Sequence, residues 1–153
     1  MCKGYIFLLL SLCTLTAEAK DFFPKTCHPI PVQTAALLFQ SKKPLLILVY
    51  NHSRLNLWLT HPAADSNVSA GWTSQLESGH WSALVLGKGA FELNCIESRP
   101  GHEQQISCVN LVHACEWTAA ILPQSSLGSF WAVENTDLAN LMAQLGDKGF
   151  KFP

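Results

Sequence analysis

The cysteines constrain the fold of this chain more than any other feature of its sequence. Two of the six, Cys2 and Cys13, lie in an N-terminal stretch with the features of a removable leader, and four follow it: Cys27, Cys95, Cys108 and Cys115. An even number of cysteines in an oxidising compartment predicts two disulfides, for which three pairings exist. If the segments on either side of Gly101 pair as a hairpin, positions 95 and 108 face each other. The sequence therefore favours Cys95–Cys108 together with Cys27–Cys115, each worth about 2–4 kcal/mol.

The first residues have the three parts of an export signal. Lys3 supplies a positive charge, Tyr5 to Leu15 form a short apolar core, and Ala17-Glu18-Ala19 fits the cleavage pattern of small residues. The core is shorter than the roughly 20 residues that cross a bilayer, and no later stretch of the sequence qualifies as a membrane span. We therefore predict a signal peptide at residues 1–19 and a protein that is periplasmic or secreted.

The composition favours a folded domain with few charges. Charged residues make up 14% of the chain, compared with roughly 25% in ordinary soluble proteins. Apolar residues reach 48%, which is ample to form a core and argues against disorder. The net charge of −1 and the presence of only two arginines, Arg54 and Arg99, disfavour nucleic acid as a partner.

Short apolar segments separated by turn residues predict a mainly β fold. Residues 20–34 are rich in proline and are expected to form an extended N-terminal segment, followed by a single domain at residues 35–153. We predict a small two-layer β-sandwich of about seven or eight strands with a short C-terminal helix. The predicted strands are Ala35–Gln40, Leu45–Asn51, Asn56–Thr60, Trp81–Leu86, Phe91–Glu97, Ile106–Cys108, Leu111–Trp117 and Ser129–Val133.

Three parts of this predicted fold can be described in more detail. The apolar run Leu45–Tyr50 is expected to be a central strand that is covered on both faces. Gly87-Lys88-Gly89 is expected to be a tight hairpin between two strands. Thr136-Asp137 can cap a helix that stops at Gly146 and covers an end or edge of the sheets. Its apolar face would consist of Leu138, Leu141, Met142 and Leu145.

The five tryptophans fall into two groups. One lies in a long polar connection between His61 and Gly79: Trp72 is a candidate exposed anchor for a partner or a glycan, because aromatic anchors often dominate binding energy. The others lie in predicted strands and are expected to fill the core; they are Trp58, Trp81, Trp117 and Trp131.

Four stretches of the sequence carry a family resemblance. They are Leu57-Trp-Leu-Thr-His-Pro62, Gly71-Trp72 followed by Gly79-His-Trp-Ser82, the loop Arg99-Pro-Gly-His-Glu-Gln104 between two cysteines, and the closing Gly149-Phe-Lys-Phe-Pro153. In these stretches the chain resembles the small exported bacterial proteins called enhanced entry protein B, from about Ala35 to the end. The resemblance implies a link to host-cell entry by an intracellular pathogen. It implies no known reaction, ligand or catalytic residue.

The segment between Cys95 and Cys108 is the strongest candidate for a binding loop. It turns at Pro100-Gly101, and a disulfide at its base would lower the entropy cost of presenting its ionic side chains. We predict that the binding surface combines this loop with the tryptophan of the long connection. Its residues would be Trp72, Arg99, His102 and Glu103. The partner would be an unknown protein or a component of the cell envelope, and no catalytic activity is predicted.

Two other functions stay open. His102-Glu103 resembles the start of a zinc-protease motif, but Ile106 stands where the second histidine is needed, so no metal or cofactor is predicted there. A periplasmic copper- or zinc-binding protein remains an alternative, because several histidines lie near predicted strand ends. These are His52, His61, His80, His102 and His113. An inhibitor of a cell-wall or host hydrolase, acting through the same loop, is the other alternative.

Overall fold

The computed structural model of this chain describes residues 22–62, 72–123 and 128–153. The predicted signal peptide lies outside these residues, as does most of the polar connection before Trp72. The described residues form ten strands and one helix, and all of the strand pairs among them are antiparallel. The prediction of a mainly β sandwich with a short C-terminal helix is therefore confirmed, with more strands than expected.

In chain order the elements are β1 (His28–Ile30), β2 (Leu37–Ser41), β3 (Leu45–Asn51), β4 (Leu57–His61), β5 (Trp72–Leu76), β6 (Trp81–Leu86), β7 (Gly89–Glu97), β8 (Gln105–Ile106), β9 (Val112–Trp117), β10 (Phe130–Thr136) and α1 (Leu138–Asp147). One sheet, called sheet A here, has the strand order β1-β9-β3-β6-β10. The other, sheet B, has the order β2-β7-β4-β5, and β8 also pairs with β7.

The central strand β3 explains why sheet A lies inside the molecule. It pairs with β6 on one side and with β9 on the other, and it is apolar on both faces. Leu46 and Leu48 point to one face, Ile47 and Val49 point to the other, and all four side chains are fully buried. The prediction that this segment is a strand covered on both faces is confirmed.

Two apolar clusters cover the two faces of sheet A. The inner cluster fills the space between the sheets and includes Ile47 and Val49 together with Leu57, Leu59 and Leu93 of sheet B. The outer cluster lies on the opposite face of sheet A, where the helix and the N-terminal segment cover it. Its buried members include Cys27, Leu46, Leu48, Trp81, Val85, Trp117, Leu141 and Leu145. Both faces of sheet A are therefore covered by apolar clusters, whereas sheet B contributes residues only to the inner cluster.

The C-terminal helix begins where the sequence predicts. Asp137 is its N-cap and accepts a hydrogen bond from Asn140 N at 2.9 Å, which lowers the pKa of this carboxyl. Leu141 and Leu145 are buried on the outer face of sheet A, over β6 and β10. The helix runs through the predicted stop at Gly146 to Asp147. No helix in the described part of the chain is long and apolar enough to cross a membrane.

The predicted hairpin at Gly87–Gly89 is wrong, because the strands on either side belong to different sheets. β6 lies in sheet A and β7 lies in sheet B, so the connection carries the chain from one sheet to the other. Gly87 passes close to the β10 side of the sandwich, where its N–H donates to Ser129 Oγ at 2.9 Å. A Cβ on Gly87 would lie 3.3 Å from the carbonyl carbon of Gly128. The glycine therefore serves a close backbone approach rather than a two-strand turn.

Two strands were not expected from the sequence. β1 forms within the proline-rich N-terminal segment and pairs with β9 at the edge of sheet A. β5 forms in the second half of the polar connection and pairs with β4 at the edge of sheet B. In β5 both Ser74 and Leu76 face inward and are buried, and the polar Ser74 interrupts the apolar pattern, so the alternation is hard to recognise.

The tryptophans divide differently from the prediction. Trp81 and Trp117 are buried in the outer cluster, as expected. Trp131 is partly buried and packs against the inner cluster. The expectation that Trp58 fills the core is wrong: its neighbours Leu57 and Leu59 point inward, and Trp58 is partly exposed on the outer side of sheet B.

Candidate binding surfaces

Both disulfides join the pairs that the sequence favours. Cys27 is bonded to Cys115 with the Cα atoms 5.6 Å apart, which ties the N-terminal segment to strand β9 of sheet A. Cys95 is bonded to Cys108 with the Cα atoms 5.4 Å apart. The register differs from the hairpin expected, because Cys95 lies opposite Ile106 and Cys108 follows β8. Cys108 N instead donates a hydrogen bond to Ala35 O at 2.7 Å, just before β2. Cys108 is therefore linked to β7 by the disulfide and to the segment before β2 by this hydrogen bond.

The candidate loop between β7 and β8 is a well-defined turn. His102 N donates to Arg99 O at 2.8 Å, and Gly101, which directly follows Pro100 at the third position of this turn, has φ 76°. Proline followed by a glycine of positive φ is the preferred sequence of a type II turn. Arg99 Nε lies 3.4 Å from Glu97 Oε1, and 60% of its side chain is exposed, so this ion pair adds little stability. The side chains of this turn are displayed to solvent.

The loop and Trp72 lie at opposite ends of sheet B. Along β4, Leu57 pairs with Glu97 just before the loop, whereas His61 pairs with Trp72. Four residues of extended strand span about 13 Å, so the backbone of Trp72 is at least this far from the start of the loop. The structure therefore does not bring Arg99, His102 and Glu103 together with Trp72 into one compact surface.

A surface that sequence reasoning missed lies between these two ends. We call it the open face: the outward-facing residues of β4, β5, β7 and β8, on the side of sheet B that points away from sheet A. Its members are Trp58, Thr60, Thr73, Gln75, Asn94, Ile96 and Gln105. No other element in the described residues packs on this side, whereas the outer face of sheet A is covered by α1 and the N-terminal segment.

The sequence did contain a signal for this surface. Leu57 and Leu59 alternate with Trp58 and Thr60, and this period of two places Trp58 on the polar side of the strand. The size and hydrophobicity of a tryptophan favour burial, and that general tendency misled the assignment. The positional pattern was the better guide.

A groove of about 530 Å³ lies beside the open face, next to β2 and the beginning of β7. Leu38 of β2 and Glu92 of β7 are partners in the strand register, and both line the groove together with Pro62. The side chain of Leu38 is 56% exposed. His61 lies in the same groove, where its Nδ1 is 2.8 Å from Glu92 O and its ring stacks on Phe91 at 4.1 Å. The groove is apolar for the most part and extends the open face toward the edge strand.

A second cluster of rings lies on the outer face of sheet A. His52 and His113 stack with their ring centroids 4.1 Å apart, and Phe22 contacts His113 at 5.6 Å. Phe22 also stacks on Trp81 at 5.2 Å and contacts Tyr50 at 4.7 Å. Burial lowers the pKa of His113 below its ordinary value of 6.5, and the neighbouring His52 lowers this pKa further. The uncharged form of His113 is therefore favoured in this cluster.

The remaining histidines are dispersed. His80 Nδ1 lies 2.9 Å from Asn135 Oδ1 and 3.5 Å from Glu77 Oε2, and His102 is exposed in the β7–β8 loop. Within the described ranges, no group of three or more histidine, cysteine, aspartate or glutamate side chains is placed to hold a metal ion. The described geometry thus gives the metal alternative no specific site.

Comparison of the chain with family models, with curated proteins and with solved structures gave no match.

Proposed function

We propose that this protein is exported and works by binding another molecule rather than by catalysis, with the open face as its main contact surface. The observation that carries this proposal is the difference between the two outer faces of the sandwich. Sheet A buries its outer face under a helix, whereas the outer face of sheet B, in the described residues, carries partly exposed Trp58 and Ile96 without a covering element. Such a surface is available to a partner.

The scaffold supports this role because strand pairing and two disulfides hold it together. The open face lies on paired strands rather than on loops, and the Cys95–Cys108 disulfide fixes β7 at one side of it. A surface that is already ordered loses little conformational entropy when a partner binds. Two disulfides are also what an oxidising compartment allows, which supports export to the periplasm or the medium.

The loop residues chosen from the sequence fit this proposal as flanking contacts, since Arg99, His102 and Glu103 lie beyond one end of the open face. Trp72 begins β5 at the other end but is not in the register of the open face, because it lies two residues before inward-facing Ser74. The loop residues would contact one end of an extended partner. The resemblance to enhanced entry protein B adds that binding would serve host-cell entry. Measuring host-cell entry by a deletion strain complemented with open-face variants would test this role.

Position-specific photo-crosslinking in the producing cell tests the proposal. A benzoylphenylalanine at Thr73 samples the open face, one at His102 samples the loop, and one at Gln144, which is exposed on α1, is the matched control. We expect adducts to form from Thr73, with fewer from His102 and none from Gln144. Equal adducts at Thr73 and Gln144, or none at Thr73 and His102, would remove the open face as the contact surface.

A further inference from the structure

The open face has a regular layout that points to one kind of ligand. Its residues form two cross-strand rows. The first row runs Gln75–Trp58–Ile96–Gln105, and the second runs Thr73–Thr60–Asn94. Neighbours within a row are separated by the strand spacing of about 5 Å, and the rows are about 7 Å apart along the strands. One tryptophan therefore lies in the middle of a grid of amides and hydroxyls.

The two rows contain no ionisable side chain. Three carboxylates border the rows: Glu77, Glu92 and Glu103 each lie two residues along the chain from a row member. Arg99 and Glu97 neutralise each other at the loop end. The bordering carboxylates repel a phosphate, a nucleic acid or an acidic peptide, and no carboxylate within the rows offsets the cost of removing water from a cationic ligand. The face thus favours an uncharged ligand.

The hydrogen bonds within the face leave a defined set of donors and acceptors. Thr73 Oγ1 donates its one proton to Leu59 O at 3.1 Å, so Thr60 is the donor in the 3.1 Å contact between the two hydroxyls. Gln105 Nε2 donates to Asn94 Oδ1 at 3.0 Å, which leaves Asn94 Nδ2 as a donor and Gln105 Oε1 as an acceptor. Donors and acceptors therefore alternate over a short distance.

This pattern favours a glycan over a protein as the occupant. The core of a protein interface is mainly apolar, and pressing it onto these amides and hydroxyls would leave them without partners, at a cost of about 1–3 kcal/mol for each buried group. Sugar hydroxyls are both donors and acceptors, so they can satisfy every group in the grid. The apolar C–H face of a pyranose ring matches the partly exposed aromatic ring of Trp58 beside Ile96.

We propose that the open face binds a neutral glycan chain, with one sugar ring stacked on Trp58 and its neighbours hydrogen-bonded to Gln75, Asn94 and Gln105. This inference deepens the proposed function and rests on it. The groove beside Leu38 and Glu92 continues the surface, so a chain of several sugars would be bound better than a single one.

Chemical-shift mapping of the intact, oxidised mature protein tests the proposal directly. Two uncharged probes, chitohexaose and cellohexaose, distinguish an N-acetylated chain from a plain glucan, and a heparin oligosaccharide of similar length is the charged control. We expect one neutral hexamer to shift the amide signals of β4, β5, β7 and β8, with the heparin probe causing no shift there. Absence of shifts at these strands with both neutral hexamers would overturn the proposal.

Variants then assign the roles of the side chains. Trp58→Ala should weaken hexamer binding by about 10-fold to 100-fold, and Trp58→Phe by less because it keeps an aromatic face. Gln75→Ala should weaken binding by about 3-fold to 10-fold. Gln144→Ala on the helix is the matched control and should leave binding unchanged. If both variants fold normally and Trp58→Ala binds the hexamer as tightly as the control does, the stacking role of Trp58 is contradicted.

The two proposals fail in different ways. If crosslinks from Thr73 identify a protein partner while neither hexamer binds, the glycan inference is wrong and the proposed function stands. If neither crosslinks nor shifts occur at the open face, the proposed function and the glycan inference both fall.

Discussion

Removing each disulfide separately tests how the bridges stabilise this fold. The pairs are matched for the comparison, since all four cysteines are buried and both bridges have similar Cα separations. They differ in the length of chain that they close. Cys27 and Cys115 are 88 residues apart, whereas Cys95 and Cys108 are 13 apart. In the chain-entropy description, a bridge stabilises the folded state by restricting the unfolded chain, and the effect grows with this length.

The magnitudes follow from these separations. For a separation of 88 residues the relation gives about 4.6 kcal/mol at 25 °C, and for 13 residues about 2.9 kcal/mol. The double variant Cys27→Ala/Cys115→Ala should therefore lose about 1.7 kcal/mol more unfolding free energy than Cys95→Ala/Cys108→Ala. The cavities left by the missing sulfur atoms are comparable in the two variants, so they largely cancel in the difference.

Equilibrium unfolding in guanidinium chloride measures this difference. With a denaturant slope of about 4 kcal/mol per molar, the midpoints of the two variants should differ by about 0.4 M, the Cys27/Cys115 variant being the less stable. Equal midpoints, or the opposite order, would refute the argument that the bridges act mainly through the unfolded chain. The slopes need to be compared as well, because a changed slope would indicate a more expanded denatured state.

Three further predictions concern individual side chains. Asn51 is fully buried, where it donates to Leu55 O at 2.7 Å and to Leu76 O at 2.9 Å, so Asn51→Ala should cost about 3 kcal/mol in a denaturation experiment. Ser53 Oγ donates to Asn51 Oδ1 at 2.6 Å, and Ser53→Ala should cost only about 1 kcal/mol because it removes this one hydroxyl. Leu145→Ala should cost about 3 kcal/mol because this side chain is fully buried between α1 and sheet A, whereas exposed Leu38→Ala should change the unfolding free energy by less than about 0.5 kcal/mol. Since the pKa of His113 is lowered in the folded state, the unfolded chain binds more protons near pH 6; the unfolding free energy should fall as pH drops below 6.5 and level off below the folded pKa. His113→Gln should remove much of this pH dependence, while His102→Gln in the exposed loop should retain it.

The parts of the fold that the sequence predicted correctly are those with a strong local pattern. The run Leu45–Asn51 is apolar at nearly every position, which is the pattern of a short strand buried on both faces. Asp137 followed by leucines at helical spacing identifies the start of α1. The cysteine pairing was favoured by a hairpin argument whose register was wrong, since Cys95 lies opposite Ile106, yet Cys108 follows β8 closely enough for its Cα to lie 5.4 Å from that of Cys95.

The parts that were missed depend on contacts between distant segments. Gly87–Gly89 has the composition of a hairpin, and nothing local shows that β6 and β7 belong to different sheets. Strand β5 places Ser74 inward, which obscures its alternation. The distance between Trp72 and the Arg99 loop follows from the pairing of β4 with both neighbours, so it could not be read from either segment alone.

The whole account depends on a chain that is exported, processed and oxidised. Non-reducing peptide mass mapping of the protein recovered from the envelope or medium of its natural cell tests this most directly. The account predicts a mature chain that starts at Lys20 and contains two crosslinked peptide pairs, Cys27 with Cys115 and Cys95 with Cys108. Recovery of a chain that still starts at Met1, or of peptides with four free thiols, would contradict it.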